Sequence, residues 1–296
     1  VVSSTTIAVR PPYRLDLTAT ALRRLSTNVV DVFGEDRRYR RAFVDAHGRS
    51  LITVLQTTAT ELVVDCEGDA QIDPLAIARR MLGVDVDLEP FYTASAAFPW
   101  LHALVVQMRG VKPPRYPTLW EAIVNAVVFQ QVSIHAAVAI LRRVIERYET
   151  PTLLGEARLH PFPEPHIIAG ADAEELRALG LSINKVVALR GLARALIDGE
   201  IAESDLIPLS TPAVIERLVT HRGIGPWTAA VIALRGLGRL DIFPEKDSGV
   251  AVSLKALSGA ADVDAGAILT TLGNQRGMLY YHLLLGRLAA RGEIAP

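Results

Sequence analysis

The hydrophobic pattern changes character near residue 95. Before it, β-formers alternate or cluster over 28–33, 37–45, 50–57 and 61–66, separated by the turn formers Gly34-Glu35-Asp36, His47-Gly48 and Thr58-Ala59. Helical spacing covers 15–25 and 73–82, the second opened by Asp73 as a cap and Pro74 at the first helical position. This pattern predicts four meandering antiparallel strands with two helices covering one face. From Pro90 onward the apolar spacing is helical. Thr118 and Glu121 spell a capping box, and Leu119, Ile123 and Val127 share a face behind it. That helix should break over Phe129-Gln130-Gln131-Val132, because Ser133 opens another with Ala137, Ile140, Leu141 and Val144. Residues 151–168 read as a proline-rich connection, and helices follow over 172–179 and 185–197. Thr211-Pro212 then reads as cap and first position of a helix running to about residue 220. Gly223 and Gly225 permit a tight turn, and Pro226 starts a helix that buries Val231, Ile232 and Leu234. Three more helices are expected over 248–257, 264–272 and 277–290. The fold class is therefore α+β. A sheet-containing domain over 1–95 precedes a mainly α-helical domain over 96–296 that contains a helix–hairpin–helix.

Composition narrows the partners. The chain has 296 residues and a formal net charge of −1. Residues 1–95 hold 11 Lys+Arg against 13 Asp+Glu, and residues 96–296 hold 20 against 19. An anionic partner must therefore meet a local patch rather than a basic coat. The run Arg37, Arg38, Arg40, Arg41 reads as a solvated strand edge. Polar residues interrupt every long apolar stretch, so no transmembrane helix is expected, and no signal pattern opens the chain. The single cysteine, Cys66, excludes a disulfide framework or a four-cysteine metal site within the chain. A cytoplasmic monomer is the expectation. His160 and His166 lie in the proline-rich connection without a third ligand, which favours a plain surface loop.

Two stretches carry candidate chemistry. The hairpin Arg222-Gly223-Ile224-Gly225-Pro226-Trp227-Thr228 offers backbone N–H groups at a helix N-terminus, an anion site for which a DNA phosphate is the natural occupant. For Gly-Ile-Gly alone, a turn in a helical bundle is the simpler reading. The helix break at Gln130-Gln131 exposes two amides beside an apolar run, and local backbone bonding is their bland alternative. Asp247, before Ser248 and Gly249 at a helix start, can be a simple N-cap.

The longer string resembles the helix–hairpin–helix DNA glycosylase superfamily. Its hairpin continues through Thr228-Ala229-Ala230, Leu234-Arg235-Gly236 and Asp241-Ile242-Phe243-Pro244 to Asp247, twenty residues past Trp227. Pro11-Pro12-Tyr13, Gln130-Gln131-Val132-Ser133 and Gly180-Leu181-Ser182 followed by Lys185 extend the likeness, specifically to the 3-methyladenine DNA glycosylase II branch. The resemblance implies a monofunctional enzyme that flips alkylated bases from double-stranded DNA. Asp247 would stabilise the sugar cation, with water as nucleophile. Trp227, Val231, Ser248 and Leu284 would line the base pocket, and Gln131 would enter the duplex. Gly223, Gly225, Trp227 and Thr228 would hold a phosphate. The backbone carbonyls of Val219, His221 and Ile224 would hold a monovalent cation, and no other cofactor is required. Phe129 stands where the family has glycine. Val231, Ser248 and Leu284 stand where it often has aromatics, so the pocket is less aromatic. Trp227 occupies the position of the lysine that bifunctional members use, and Lys246 lies elsewhere. A non-catalytic DNA-binding module and a glycosylase/lyase for oxidised bases are the alternatives.

Overall fold

The computed structural model describes residues 2–154, 157–245, 248–259 and 263–294. Five antiparallel strands form a sheet of order β1-β5-β4-β3-β2: β1 (Val2–Ala8), β2 (Val32–Phe33), β3 (Arg38–Asp45), β4 (Gly48–Gln56) and β5 (Glu61–Gly68). Strands β2 to β5 make the expected meander, although β2 has only two residues. The additional strand, β1, pairs with β5 from Val2↔Glu67 to Ala8↔Glu61. Among its residues Ile7 is deeply buried, so its sequence carries little alternation. Helices α1 (Leu15–Arg23) and α2 (Pro74–Leu82) share a core with the sheet. Leu15, Ala19 and Leu22 from α1, and Ala78, Met81 and Leu82 from α2, meet Tyr39, Ile52, Val54, Leu62 and Val64. Asp73 caps α2 as expected, accepting from the N–H groups of Leu75 and Ala76 at 3.0 Å each.

The basic run on β3 departs from the expected solvated edge. Arg38 and Arg40 do pair with Asp36 near the surface. Arg41 points the other way, is 1% exposed, and bonds to Asp31 at 2.8 Å and to Glu121. The pleat accounts for this, since Arg41 shares its side of β3 with buried Tyr39. The Tyr39 hydroxyl donates to the same Asp31 carboxylate at 2.6 Å. Burial pushes the Glu121 carboxyl up to about 7 even beside the Arg41 guanidinium. Glu121 thus serves this junction with its side chain. Its N–H donates to Thr118 Oγ1 at 3.2 Å, so only that half of the capping box forms.

The helical part runs α3 (Glu89–Ser95), α4 (Pro99–Gln107), α5 (Leu119–Val128), α6 (Ile134–Tyr148), then β6 (Thr152–Leu154) and β7 (Ala157–Leu159) as a short hairpin. It continues through α7 (Pro165–Gly170), α8 (Ala173–Ala178), α9 (Ile183–Ile197), α10 (Glu203–Leu206), α11 (Thr211–Val219), α12 (Pro226–Arg235), α13 (Ser248–Ser258), α14 (Ala265–Leu272) and α15 (Gly277–Ala290). Every residue of α5 is buried; its apolar residues extend well beyond one stripe, and its two polar side chains, Glu121 and Asn125, bond inside the protein. Helices α6, α9 and α12 pack around it in one core. A second core joins α3, α4, α14 and α15 and reaches back to Leu17 and Ala21 of α1. No helix among the described residues is long and apolar enough to cross a membrane. His160 lies in a loop just past β7, but not on the surface. It is 6% exposed, and its Nδ1 lies 3.0 Å from the Glu149 carbonyl.

Candidate nucleic-acid interface

The hairpin forms where its glycines and prolines predict. Ser210, not Thr211, is the cap of α11, accepting from Ala213 N–H at 3.5 Å, and Thr211 instead donates to Asp241 at 2.8 Å. Helix α11 ends at Val219, and Gly225 opens α12 without a side-chain cap. The two glycines differ. Gly223 has φ +93°, and a Cβ there would lie 2.3 Å from Ala188 Cβ of α9. Gly225 has φ −91°, and a Cβ there would meet nothing within 4 Å. Packing inside the protein explains the first glycine. The second keeps an open approach to the start of α12.

The turn between α5 and α6 sits directly beside this hairpin. Gln131 is exposed and adopts φ +57°, a left-handed conformation that costs a non-glycine residue about 1 kcal/mol or more. Three sets of bonds hold it there. Ser133 caps α6 by accepting from Ala136 N–H at 3.2 Å. The Lys185 ammonium on α9 donates to the carbonyls of Val128 and Gln130 at 2.9 and 2.8 Å, closing the C-terminus of α5. The Gln130 amide donates to the Gly223 carbonyl at 2.9 Å and to Thr228 Oγ1 at 2.7 Å. Burial holds the Lys185 ammonium below its ordinary pKa. Nothing local in the sequence announces Lys185 or Gln130 as struts, because their partners lie 55 to 98 residues away.

Gln130 is bonded to Thr228 in the first turn of α12 and to Lys185 in the first turn of α9, and it lies three residues before Ser133, the cap of α6. Each of these helix starts carries roughly half a positive charge from its unpaired N–H groups. These ends offer positive charge without a basic coat, on a chain whose net charge is −1. Exposed Arg222 stands on the hairpin.

Trp227 is half-buried in the first turn of α12 and Val231, one turn on, is 1% exposed. Both belong to the core around α5. Leu284 of α15 packs instead with Leu25, Ile134, Val138 and Leu288. Phe129 touches both groups, and the Arg24 guanidinium lies 3.6 Å from its ring centre. Ser248 is the first residue of α13. Asp247 and Lys246 lie outside the described residues. Thr228 is buried, with its hydroxyl taken by Gln130. The His221 carbonyl accepts from Ile224 N–H at 3.1 Å, which leaves it a lone pair for a cation. Among the described residues, no group of three or more His, Cys, Asp or Glu is placed to hold a metal ion.

Comparison with known proteins agrees with this geometry. The chain is 28% identical over 174 residues to DNA-3-methyladenine glycosylase of Bacillus subtilis, covering 59% of this chain and 57% of that one. It is 32% identical over 235 residues to a Mycobacterium tuberculosis protein named probable bifunctional transcriptional activator/DNA repair enzyme AlkA, covering 75% of this chain and 44% of that one. The chain thus spans about half the length of these relatives. The solved 3-methyladenine DNA-glycosylase from Archaeoglobus fulgidus superposes with a TM-score of 0.78 at 21% identity, over 96% of this chain and 99% of that chain, and so shares its fold. Residues 124–272, which include the Gln130-Gln131 turn, Lys185 and the hairpin, match the model of the HhH-GPD superfamily of base excision DNA repair proteins, and the chain belongs to that family.

Proposed function

We propose that the protein is a monofunctional DNA glycosylase that removes alkylated bases such as 3-methyladenine from double-stranded DNA. The observation that carries the reading is the exposed, left-handed Gln131 fixed beside the hairpin and three helix N-termini. A base inside a duplex is out of reach until it is rotated out of the stack. The hairpin N–H groups grip a phosphate, and open Gly225 lets the backbone approach. A monovalent cation on the carbonyls of Val219, His221 and Ile224 would strengthen that grip by adding positive charge. Gln131 fills the gap left by the base, and its amide pairs with the orphaned partner. Trp227 offers an aromatic face to a cationic base. The family likeness assigns Val231, Leu284 and Ser248 to the same pocket, although Val231 and Leu284 are buried in two different clusters.

Asp247 is the carboxylate that stabilises the oxocarbenium-like sugar as the base leaves. At about 4 Å and an effective dielectric near 20, opposite charges attract by roughly 4 kcal/mol. That is worth about three decades in rate. Alkylation already makes the base a good leaving group, and water completes the hydrolysis at the sugar. Trp227 in place of the lyase lysine leaves no amine there for a Schiff base. The test is incubation with N-methylated duplex DNA and identification of the released products. Free 3-methyladenine with an uncut abasic strand is expected. Tight abasic-DNA binding without base release would leave a non-catalytic module, and borohydride trapping of protein on DNA would reveal a lyase.

A further inference from the structure

We infer that Gln130, nailed down by Lys185, is a positioning residue that makes the wedge turn and the phosphate-gripping hairpin one rigid lever. This rests on the glycosylase reading of the same face. Four observations converge on it. The Gln130 side chain spends both amide hydrogens on the hairpin and the helix it opens, one on the Gly223 carbonyl and one on Thr228 Oγ1. Its own carbonyl is held by Lys185 Nζ at 2.8 Å, and the same ammonium holds Val128 at the end of α5. The next residue, Gln131, sits in a left-handed conformation that the chain does not adopt unaided. Gly223 is pressed onto Ala188 of α9, the helix that carries Lys185, so the hairpin cannot shift without α9.

These bonds close a loop of contacts from the hairpin through Gln130 to the wedge turn, then through Lys185 to α9, and through Ala188 back to the hairpin. A phosphate seated on the hairpin therefore fixes where Gln131 stands relative to the strand. The acceptors also explain why the residue is a glutamine. Two neutral oxygens, one of them a carbonyl without a proton, require a donor with two N–H groups. A glutamate at this position can accept from the Thr228 hydroxyl but repels the Gly223 carbonyl. Neither Gln130 nor Lys185 needs to touch the reacting atoms.

The test is a double-substitution cycle on the full chain with Gln130→Ala, Gln131→Ala and both together, and with Lys185→Met against Lys185→Arg. Affinity for a duplex carrying a tetrahydrofuran abasic analogue is one readout. Single-turnover excision from methylated duplex and from methylated single strand is the other. Gln130→Ala should weaken duplex binding and slow duplex excision about tenfold, the size expected for losing neutral hydrogen bonds. The single-strand rate should fall less than about threefold. In the Gln131→Ala background the same substitution should add little, because an absent wedge needs no positioning. Lys185→Arg should restore most of what Lys185→Met loses on duplex. Equal losses on duplex and single strand, or full additivity with Gln131→Ala, would overturn the lever and leave Gln130 a packing amide. A wild-type protein that binds the abasic duplex but releases no base would instead overturn the glycosylase reading, while the binding cycle still decides the lever.

Discussion

Cations close several helix C-termini in this protein, and at α1 and α5 they do so in different settings. The last turn of α1 is held by Arg235 of α12, whose Nη2 donates to the carbonyls of Ala21 and Leu22 at 3.0 and 3.1 Å. Arg235 is fully buried between the rings of Tyr116 and Tyr281, with its guanidinium carbon 4.9 and 5.8 Å from their centres. The last turn of α5 is held by Lys185, half-buried at the protein surface. At α1 both sides of the clamp are sealed in protein, which suits a joint between the sheet and the helices. At α5 the clamp stands behind an exposed residue in a strained conformation. The buried clamp joins two parts of the fold, whereas the half-buried one stands behind a side chain that faces solvent. The Asp31–Arg41–Glu121 cluster belongs with the first kind.

Substitutions separate the two uses, because one should change stability and the other activity. The largest effect is expected at Asp247, where Asp247→Asn should cut single-turnover excision about a thousandfold and leave the urea unfolding midpoint unchanged. Retention of more than about a tenth of the wild-type rate would remove Asp247 from the mechanism. At the welded joint, Arg41→Met strands two buried carboxylates and should destabilise the fold by about 3 kcal/mol or more, read by urea unfolding. An unchanged midpoint would mean that the cluster carries no structural weight.

Acid should attack the interior and spare the interface. His282 of α15 is fully buried, its Nδ1 bonded to the Met278 carbonyl at 2.9 Å, and burial drives its pKa down to about 4. A depressed folded pKa means that protonation favours the unfolded chain. The stability that neutral His282 contributes is complete above the unfolded pKa near 6.5 and is lost as pH falls toward 4. The loss should total about 3 kcal/mol over that window, and His282→Gln should flatten it in unfolding curves at stepped pH. Parallel wild-type and variant curves would refute the assignment.

The hairpin glycines give the next contrast. Gly223→Ala, at φ +93° and against Ala188, should cost about 2 kcal/mol of stability. Gly225→Ala meets open space and an ordinary φ, so it should leave stability unchanged and weaken abasic-duplex binding. If both substitutions merely destabilise, the open approach at Gly225 is not used by a phosphate. The smallest effect is expected at Gln131. Gln131→Ala should slow duplex excision about tenfold, with a lesser effect on single strands where little stacking remains to break. Equal losses on the two substrates would make Gln131 a structural amide.

The interface was legible in the sequence in proportion to how locally it is encoded. The hairpin helices lie within a residue or two of their expected bounds, because Ser210, Pro212, Gly223 and Pro226 act on neighbours within one turn. The break at 129–132 was equally plain, since Ser133 caps its own helix. Strand β1 escaped because an edge strand buries little and alternates weakly. The β6–β7 hairpin was lost among prolines. Arg41 read as solvated because its parity with Tyr39 was outweighed by the charge of its neighbours. The Leu284 cluster could not be read at all, since it joins Leu25, just past α1, with residues of α6 and α15.

By itself the sequence determined the α+β class, the positions of most caps and turns, and the family, because capping, glycine φ and proline geometry are decided within about four residues of chain. Only the tertiary structure decided which donor meets which carbonyl. The Gln130 bond to Thr228, the Arg235 bond to Ala21 and the Arg41 bond to Glu121 span 98, 214 and 80 residues respectively. Such pairs form when burial of the cores brings distant backbone ends together, and each buried or half-buried donor then takes the acceptor that packing leaves within reach. Residue identity supplies the donors, and closure of the long loops between them selects their partners.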